Sequence, residues 1–179
     1  MSKKYKFLDN EKPYFVTFTI VNWIDLFTRN VYKDIFLDAV KYCQQNKDLK
    51  VFAWVIMTNH VHMIVGTRGN PLSNIMRDLK RHTSEKLHIV LEANKRESRR
   101  EWMLWLMTRA GSKMGLKFQL WQPESHPMEL LSPFIANQKL RYLHQNPVKA
   151  GFVSKEEDWK YSSAGDYHGI KGLLEIMLI

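Results

Sequence analysis

Two histidines one residue apart, His60 and His62, and a tyrosine with an asparagine one helical turn later, Tyr142 and Asn146, are the residues of this 179-residue chain best placed to do chemistry. The histidines lie in Ala53-Trp54-Val55-Ile56-Met57-Thr58-Asn59-His60-Val61-His62, which continues into Met63-Ile64-Val65. Side chains at i and i+2 of a strand leave the same face, so both imidazoles point to one place. Two imidazole nitrogens on a rigid element can hold a divalent cation. The competing reading is a pair of polar residues on a solvated sheet face. Gln138, Tyr142 and Asn146 repeat at four, which on a helix gives them a common face with Lys139 beside them. A phenol there can serve as a nucleophile and form a covalent phosphotyrosine with a nucleic-acid strand. The His pair and the Asn146 oxygen would then hold a metal that polarises the phosphate. Against this stands Tyr142 as a half-buried core residue and Asn146 as a helix C-terminal residue before Pro147.

The elements that must position these residues follow from patterning. Tyr14 to Ile20 is aromatic and β-branched throughout, the clearest strand signal in the chain. Val51 to Met57 and Val61 to Val65 are apolar runs around a polar Thr58-Asn59 pair, two buried strands with a break or tight turn between them. Asn30 to Asn46 repeats apolar residues at three and four, a helix in which Cys43 is a buried, inert thiol. A second helix runs from about Leu72 to Leu91 after the Gly69-Asn70-Pro71 turn. Residues 92 to 117 read as a short amphipathic helix and a flexible loop, an insertion in a single domain spanning 1–179. Its Met and Trp residues are read as packing. Phe118 to Trp121 looks like a further strand, and His126 to Leu130 like a connector. Ser132 caps a helix with Pro133 at its first position, and Asn146-Pro147 ends it after His144. Strand, helix, strand, strand, helix, strand, helix predicts an α+β fold with an antiparallel sheet of ferredoxin-like type.

Composition narrows the class of partner. Lys and Arg number 27 against 18 Asp and Glu, a formal net charge of +9, which favours a polyanion, nucleic acid before anionic membrane. A hydrophobic share of 45% excludes a disordered chain. No apolar run approaches the roughly 20 residues that cross a bilayer, and the basic start at residues 1–6 leads into no apolar stretch. Neither a membrane span nor a secretory signal is therefore expected, which fits a cytoplasmic protein.

Thr58-Asn59-His60-Val61-His62, preceded by Trp54-Val55-Ile56-Met57, and Tyr142-Leu143-His144-Gln145-Asn146-Pro147-Val148-Lys149-Ala150-Gly151 together resemble the REP-associated tyrosine transposases. These are bacterial relatives of the single-tyrosine transposases of insertion sequences, within the HUH endonuclease superfamily. The likeness extends from Tyr14-Phe15-Val16-Thr17-Phe18 through Trp121-Gln122 to Trp159 and Tyr161-Ser162-Ser163. It implies a ferredoxin-like or RRM-like antiparallel sheet with helices packed on one face, the IS200-like transposase fold. It also implies cutting and rejoining of single-stranded, hairpin-flanked DNA through a 5′-phosphotyrosine. Carried over, His60 and His62 match the metal pair and Tyr142 the nucleophile. Asn146 matches a ligand position that is often Gln in insertion-sequence relatives, and Asn has a shorter reach. Mg²⁺ prefers oxygen ligands, so Mn²⁺ suits a two-His site equally well. Phosphate contacts are expected from Arg77, Lys80, Arg81, Lys139 and the N-terminal lysines, on single-stranded or hairpin DNA.

Three arrangements stay open on sequence. Tyr142 can act in its own subunit or across a homodimer. A catalytically silent or domesticated sequence-specific DNA-binding protein could use the same fold. A water-using nuclease would cut without an adduct.

Overall fold

A computed structural model describes Phe7, Asp9 and residues 12–123 and 126–179. The N-terminal lysines expected to meet phosphates lie outside the described residues, as does most of the basic arm. β1 (Tyr14–Thr19) sends Tyr14, Val16 and Phe18 to one face and Phe15, Thr17 and Thr19 to the other. The hairpin β2 (Leu49–Ile56) and β3 (His60–Thr67) turns through Met57-Thr58-Asn59, closed by Met57 N–H donating to the His60 carbonyl at 2.8 Å. β3 lies antiparallel between β2 and β1, and the sheet order is β2-β3-β1-β4, with β4 the two-residue strand Met128–Glu129. That is the expected α+β, ferredoxin-like arrangement.

α1 (Asn30–Asn46) and α2 (Leu72–Ala93) cover one face, burying Phe36, Val40, Ile75 and Leu79 against Val16, Phe18, Trp54 and Met63. α4 (Pro133–His144) crosses the other face. There Ala136 and Leu143 meet Phe15, Ala53, Val55 and Ile64 in a smaller cluster. Helices therefore pack on both faces, rather than on one as the resemblance implied.

The fourth strand differs from the expectation. Phe118 to Trp121 forms only an isolated bridge between Trp121 and Ile20, while the two-residue β4, Met128–Glu129, pairs with β1. Two backbone bonds make that bridge, Val21 N–H to the Leu120 carbonyl and Gln122 N–H to the Thr19 carbonyl, while Gln119 N–H turns away to the Met107 carbonyl, so the pairing extends no further. Trp121 sinks between Phe18, Phe27 and Phe36 and donates its indole N–H to Thr83 Oγ1 at 3.0 Å.

α3 (Arg100–Ser112) occupies the stretch read as an insertion and is docked on the core through Met103 and Met107. Trp102 and Trp105 are exposed, whereas the methionines of this helix pack as expected. Gly111 lies so close to Phe118 that an added Cβ would approach its backbone to 2.6 Å, a contact only glycine permits. The segment is further tied down by Glu97, fully buried, which accepts from Arg29 Nε at 2.5 Å and Arg99 Nε at 3.0 Å. Arg99 also donates to the Asp25 carbonyl and to Thr28 Oγ1.

Burial alone would raise the Glu97 carboxyl, but the two guanidiniums hold it down at about 2. A carboxylate whose folded pKa is depressed stabilises the protein above its unfolded pKa of about 4.3, and the stabilisation fades as pH falls toward 2. Urea midpoints should therefore drop between pH 5 and pH 2.5 by more in the wild type than in Glu97→Gln. At neutral pH, Glu97→Ala should cost about 3 kcal/mol, the low end for a broken buried pair, because Arg29 still reaches water.

The chain end closes the β2 edge. Ile56 N–H donates to the Tyr161 carbonyl and Ser163 N–H to the Trp54 carbonyl, so residues 161–163 satisfy backbone groups that would otherwise be open.

Candidate active site

The β1–β3 register builds the site. Thr17 lies opposite His62 and Thr19 opposite His60, all four on the face crossed by α4. The imidazoles sit with ring centroids 4.6 Å apart. His60 Nδ1 is 2.7 Å from Asn59 Oδ1, and a carboxamide oxygen only accepts, so Nδ1 carries the proton and Nε2 the lone pair. His62 Nδ1 is 2.8 Å from Thr17 Oγ1. Its Nε2 is buried and has no hydrogen-bond partner among the described residues, an arrangement that costs stability unless something else occupies it.

Burial first, then His60 and Lys139, push His62 down to about 3, and burial likewise lowers His60. Both are neutral at physiological pH, the form a metal ligand needs. An orphaned buried Nε2, a second Nε2 lone pair and outer partners on both Nδ1 atoms fit a divalent cation. Thr17 and Asn59 are functional candidates that spacing alone did not reveal, although Asn59 is part of the motif. Thr17→Val should weaken Mn²⁺ binding about 10- to 100-fold in calorimetry while leaving the fold intact.

α4 brings Tyr142 to this pair. Ser132 accepts from Ile135 N–H at the helix start with Pro133 following, as expected. Leu143 and Ala136 then bury and turn Tyr142 toward the sheet. Its ring lies 5.4 Å from His62 and 6.0 Å from Phe15, yet stays 43% exposed. The ring is thus half-buried, lying against the sheet with the His pair of the same chain beside it. Lys139 Nζ lies 5.6 Å from the Tyr142 ring centroid and Lys149 Nζ 6.0 Å, two cations beside the phenol. Lys149 comes from α5 (Asn146–Lys149), a short turn that continues the line of α4 with Pro147 in its first turn. Asn146 heads that turn and, among the described residues, makes no hydrogen bond to His60, His62 or Tyr142. A groove of about 650 Å³ runs along α4 past Phe134, Gln138, Arg141, Tyr142, Gln145 and Lys149, and Tyr142 is the residue it shares with the His pair's surroundings.

Of the four expected phosphate contacts, only Lys139 lies here. Arg77, Lys80 and Arg81 are on α2, which covers the opposite face. Arg77 and Arg81 pair with Asp78, and Lys80 reaches the Gln122 carbonyl over the Phe18 ring. Arg81 lines a separate cavity of about 510 Å³ between α1 and α2, remote from the histidines. No group of three or more His, Cys, Asp or Glu that could hold a metal occurs among the described residues, and no helix there is long and apolar enough to cross a membrane.

The structure thus faces a His-x-His pair, on the second strand from one edge of an open antiparallel sheet, with a helix-borne tyrosine. The chain belongs to the IS200-like transposases, whose family model matches residues 14–107. That match includes the His pair and ends before α4. Among solved structures, a REP-associated tyrosine transposase bound to a REP hairpin is 20% identical, with a TM-score of 0.66, covering 100% of this chain and 95% of that one. A Deinococcus radiodurans R1 protein described as a transposase is 17% identical, with a TM-score of 0.45, covering 80% of this chain and 97% of that one. No curated protein matches the chain.

Proposed function

We propose that this transposase is a site-specific single-stranded DNA endonuclease and strand transferase that works through Tyr142. The observation that carries the reading is the Tyr142 ring 5.4 Å from His62, whose buried Nε2 has no partner among the described residues. His60 and His62 would hold Mg²⁺ or Mn²⁺ by their Nε2 atoms, with Asn146 one turn beyond Tyr142 as a further oxygen donor. A bound cation supplies Lewis-acid polarisation of the scissile phosphate.

The residues divide the remaining work. The phenol oxygen of Tyr142 attacks phosphorus, the P–O3′ bond breaks, and the strand upstream leaves with a free 3′-OH. The downstream strand stays on the protein as a 5′-phosphotyrosine. The phenol proton leaves to water, and the departing O3′ takes up a proton from water to become the 3′-OH. Lys139 and Lys149, beside the ring, favour the charge that develops on the phenolic oxygen and on the phosphate. The bond energy is kept in the phosphotyrosine, so a 3′-OH can reverse the attack and reseal DNA without ATP. The groove along α4, with Arg141 and Lys149, offers the unpaired strand a basic track.

Hairpin DNA is the substrate class in this reading; the similar protein seen with a REP hairpin has the same fold. One chain suffices for the geometry, with a homodimer as an arrangement that concentration-dependent activity would reveal. Such a protein would work in the bacterial cytoplasm, where its DNA is. The test is a denaturing gel of the protein with labelled hairpin DNA taken from the flanks of its own gene and Mn²⁺. A protein-linked band lost in Tyr142→Phe supports the reading. Cleavage without a linked band would indicate a water-using nuclease instead.

A further inference from the structure

Between β1 and α1 the chain makes a tight loop whose backbone is unusual. Asn22 (φ 54°) and Trp23 (φ 54°) are consecutive left-handed residues. Asparagine tolerates that region, whereas a bulky tryptophan rarely enters it, and such strain persists only where the surroundings impose it. Here they do. Ile20 N–H donates to the Asn59 carbonyl (2.9 Å), Val21 N–H to the Leu120 carbonyl (2.7 Å) and Trp23 N–H to the Ile20 carbonyl (3.0 Å).

Core packing does not explain the residue type. Val21 and Ile24 on either side are buried, while Trp23 is 60% exposed. The indole is instead held beside the site, 6.4 Å from the His60 ring and nearly perpendicular to it at 74°. One side chain links the two: Asn59 accepts from His60 Nδ1 through Oδ1 and donates through Nδ2 to the Trp23 carbonyl at 3.5 Å. The backbone of Trp23 and the imidazole of His60 are thereby tied to one side chain, which sets the indole at the edge of the site.

We propose that Trp23 is a stacking platform for the base of an unpaired nucleotide next to the phosphate bound at His60 and His62, an inference that rests on the DNA-cleaving reading above. Every base has a π-face, so an exposed indole grips single-stranded DNA whatever its sequence, and excludes a paired base whose faces are already stacked. Trp23 would thus select for unpaired DNA at the cut. The aromatic stretch read from sequence, Trp102 to Trp105 on α3, has no such neighbour.

The experiment uses full-length Tyr142→Phe protein, which binds without cutting, and a stem-loop oligonucleotide from the flanks of the protein's own gene. 2-Aminopurine replaces one unpaired base at a time. One position should be strongly quenched on binding, and adding Trp23→Ala should abolish that quenching and weaken binding ~10-fold. Trp23→Tyr should restore most of both. An abasic site at the same position should erase the difference between Trp23 and Trp23→Ala. Equal affinity and quenching with and without the indole would overturn the proposal. So would a loss that persists with abasic sites at every unpaired position, which would mark a structural role. Absence of any DNA binding would overturn this inference together with the reading beneath it. Stacking intact in a wild-type protein that forms no adduct would overturn only the cleavage chemistry.

Discussion

Tyr142→Phe should reduce formation of DNA–protein adduct by at least ~10⁴-fold, the scale on which enzymes lose rate when a nucleophile is removed. The change deletes one oxygen. Tyr142 is 43% exposed and makes ring contacts with Phe15 and His62 that a phenylalanine keeps, so thermal stability should change by less than about 0.5 kcal/mol. DNA affinity should also survive, because Lys139, Lys149 and Arg141 are untouched. The loss should therefore appear in the rate of adduct formation under saturating DNA and not in binding. If the variant still nicks DNA at a comparable rate, the nucleophile is not Tyr142. Stopped single-turnover reactions resolved on denaturing gels give the rate directly.

His62→Ala should be nearly as damaging to the chemistry and more damaging to the fold. A bound cation contributes several kcal/mol of transition-state stabilisation, so losing one of two nitrogen donors should slow adduct formation on the order of 10³-fold. The divalent-ion-dependent rise in Tm expected for the wild type should vanish with it, since a ligand that binds only the folded state stabilises by mass action. Removal of the buried ring also strands Thr17 Oγ1 and opens space beside Phe15, a cost of roughly 1–3 kcal/mol in metal-free buffer. Comparing Tm with and without Mn²⁺ separates the two losses. If His62→Ala kept its Mn²⁺-dependent rise in Tm, His62 would not be a ligand.

The sequence carried the site's main parts because their signals are local. An i, i+2 spacing on an apolar strand fixes a shared face, and an i, i+4 spacing fixes a helical one. The structure brings His60, His62 and Tyr142 together accordingly. What was not legible depends on register and sidedness. Thr17 becomes a partner of His62 only because β1 pairs with β3 at that offset, and no local pattern reports the offset. The cations of α2 and α4 look alike in sequence, yet α2 packs behind the sheet and α4 over the histidines. A strand as short as Met128–Glu129 has no periodicity to detect, whereas Phe118 to Trp121 pairs with the end of β1 only through the single bridge at Trp121. Trp23 escaped notice because its role would come from a left-handed backbone, and Asn-Trp is not a sequence that announces one.

The central claim is a covalent bond from Tyr142 to the 5′-phosphate of the strand downstream of the cut, and label polarity tests it most directly. The same hairpin strand would be labelled at its 3′ end in one reaction and at its 5′ end in the other, then incubated with wild-type protein and Mn²⁺ and run on a denaturing gel. The account predicts that the 3′ label migrates with the protein, on a tryptic peptide containing Tyr142, and that the 5′ label leaves on a free fragment ending in 3′-OH. Both labels leaving on free fragments, with no protein-linked band, would contradict it.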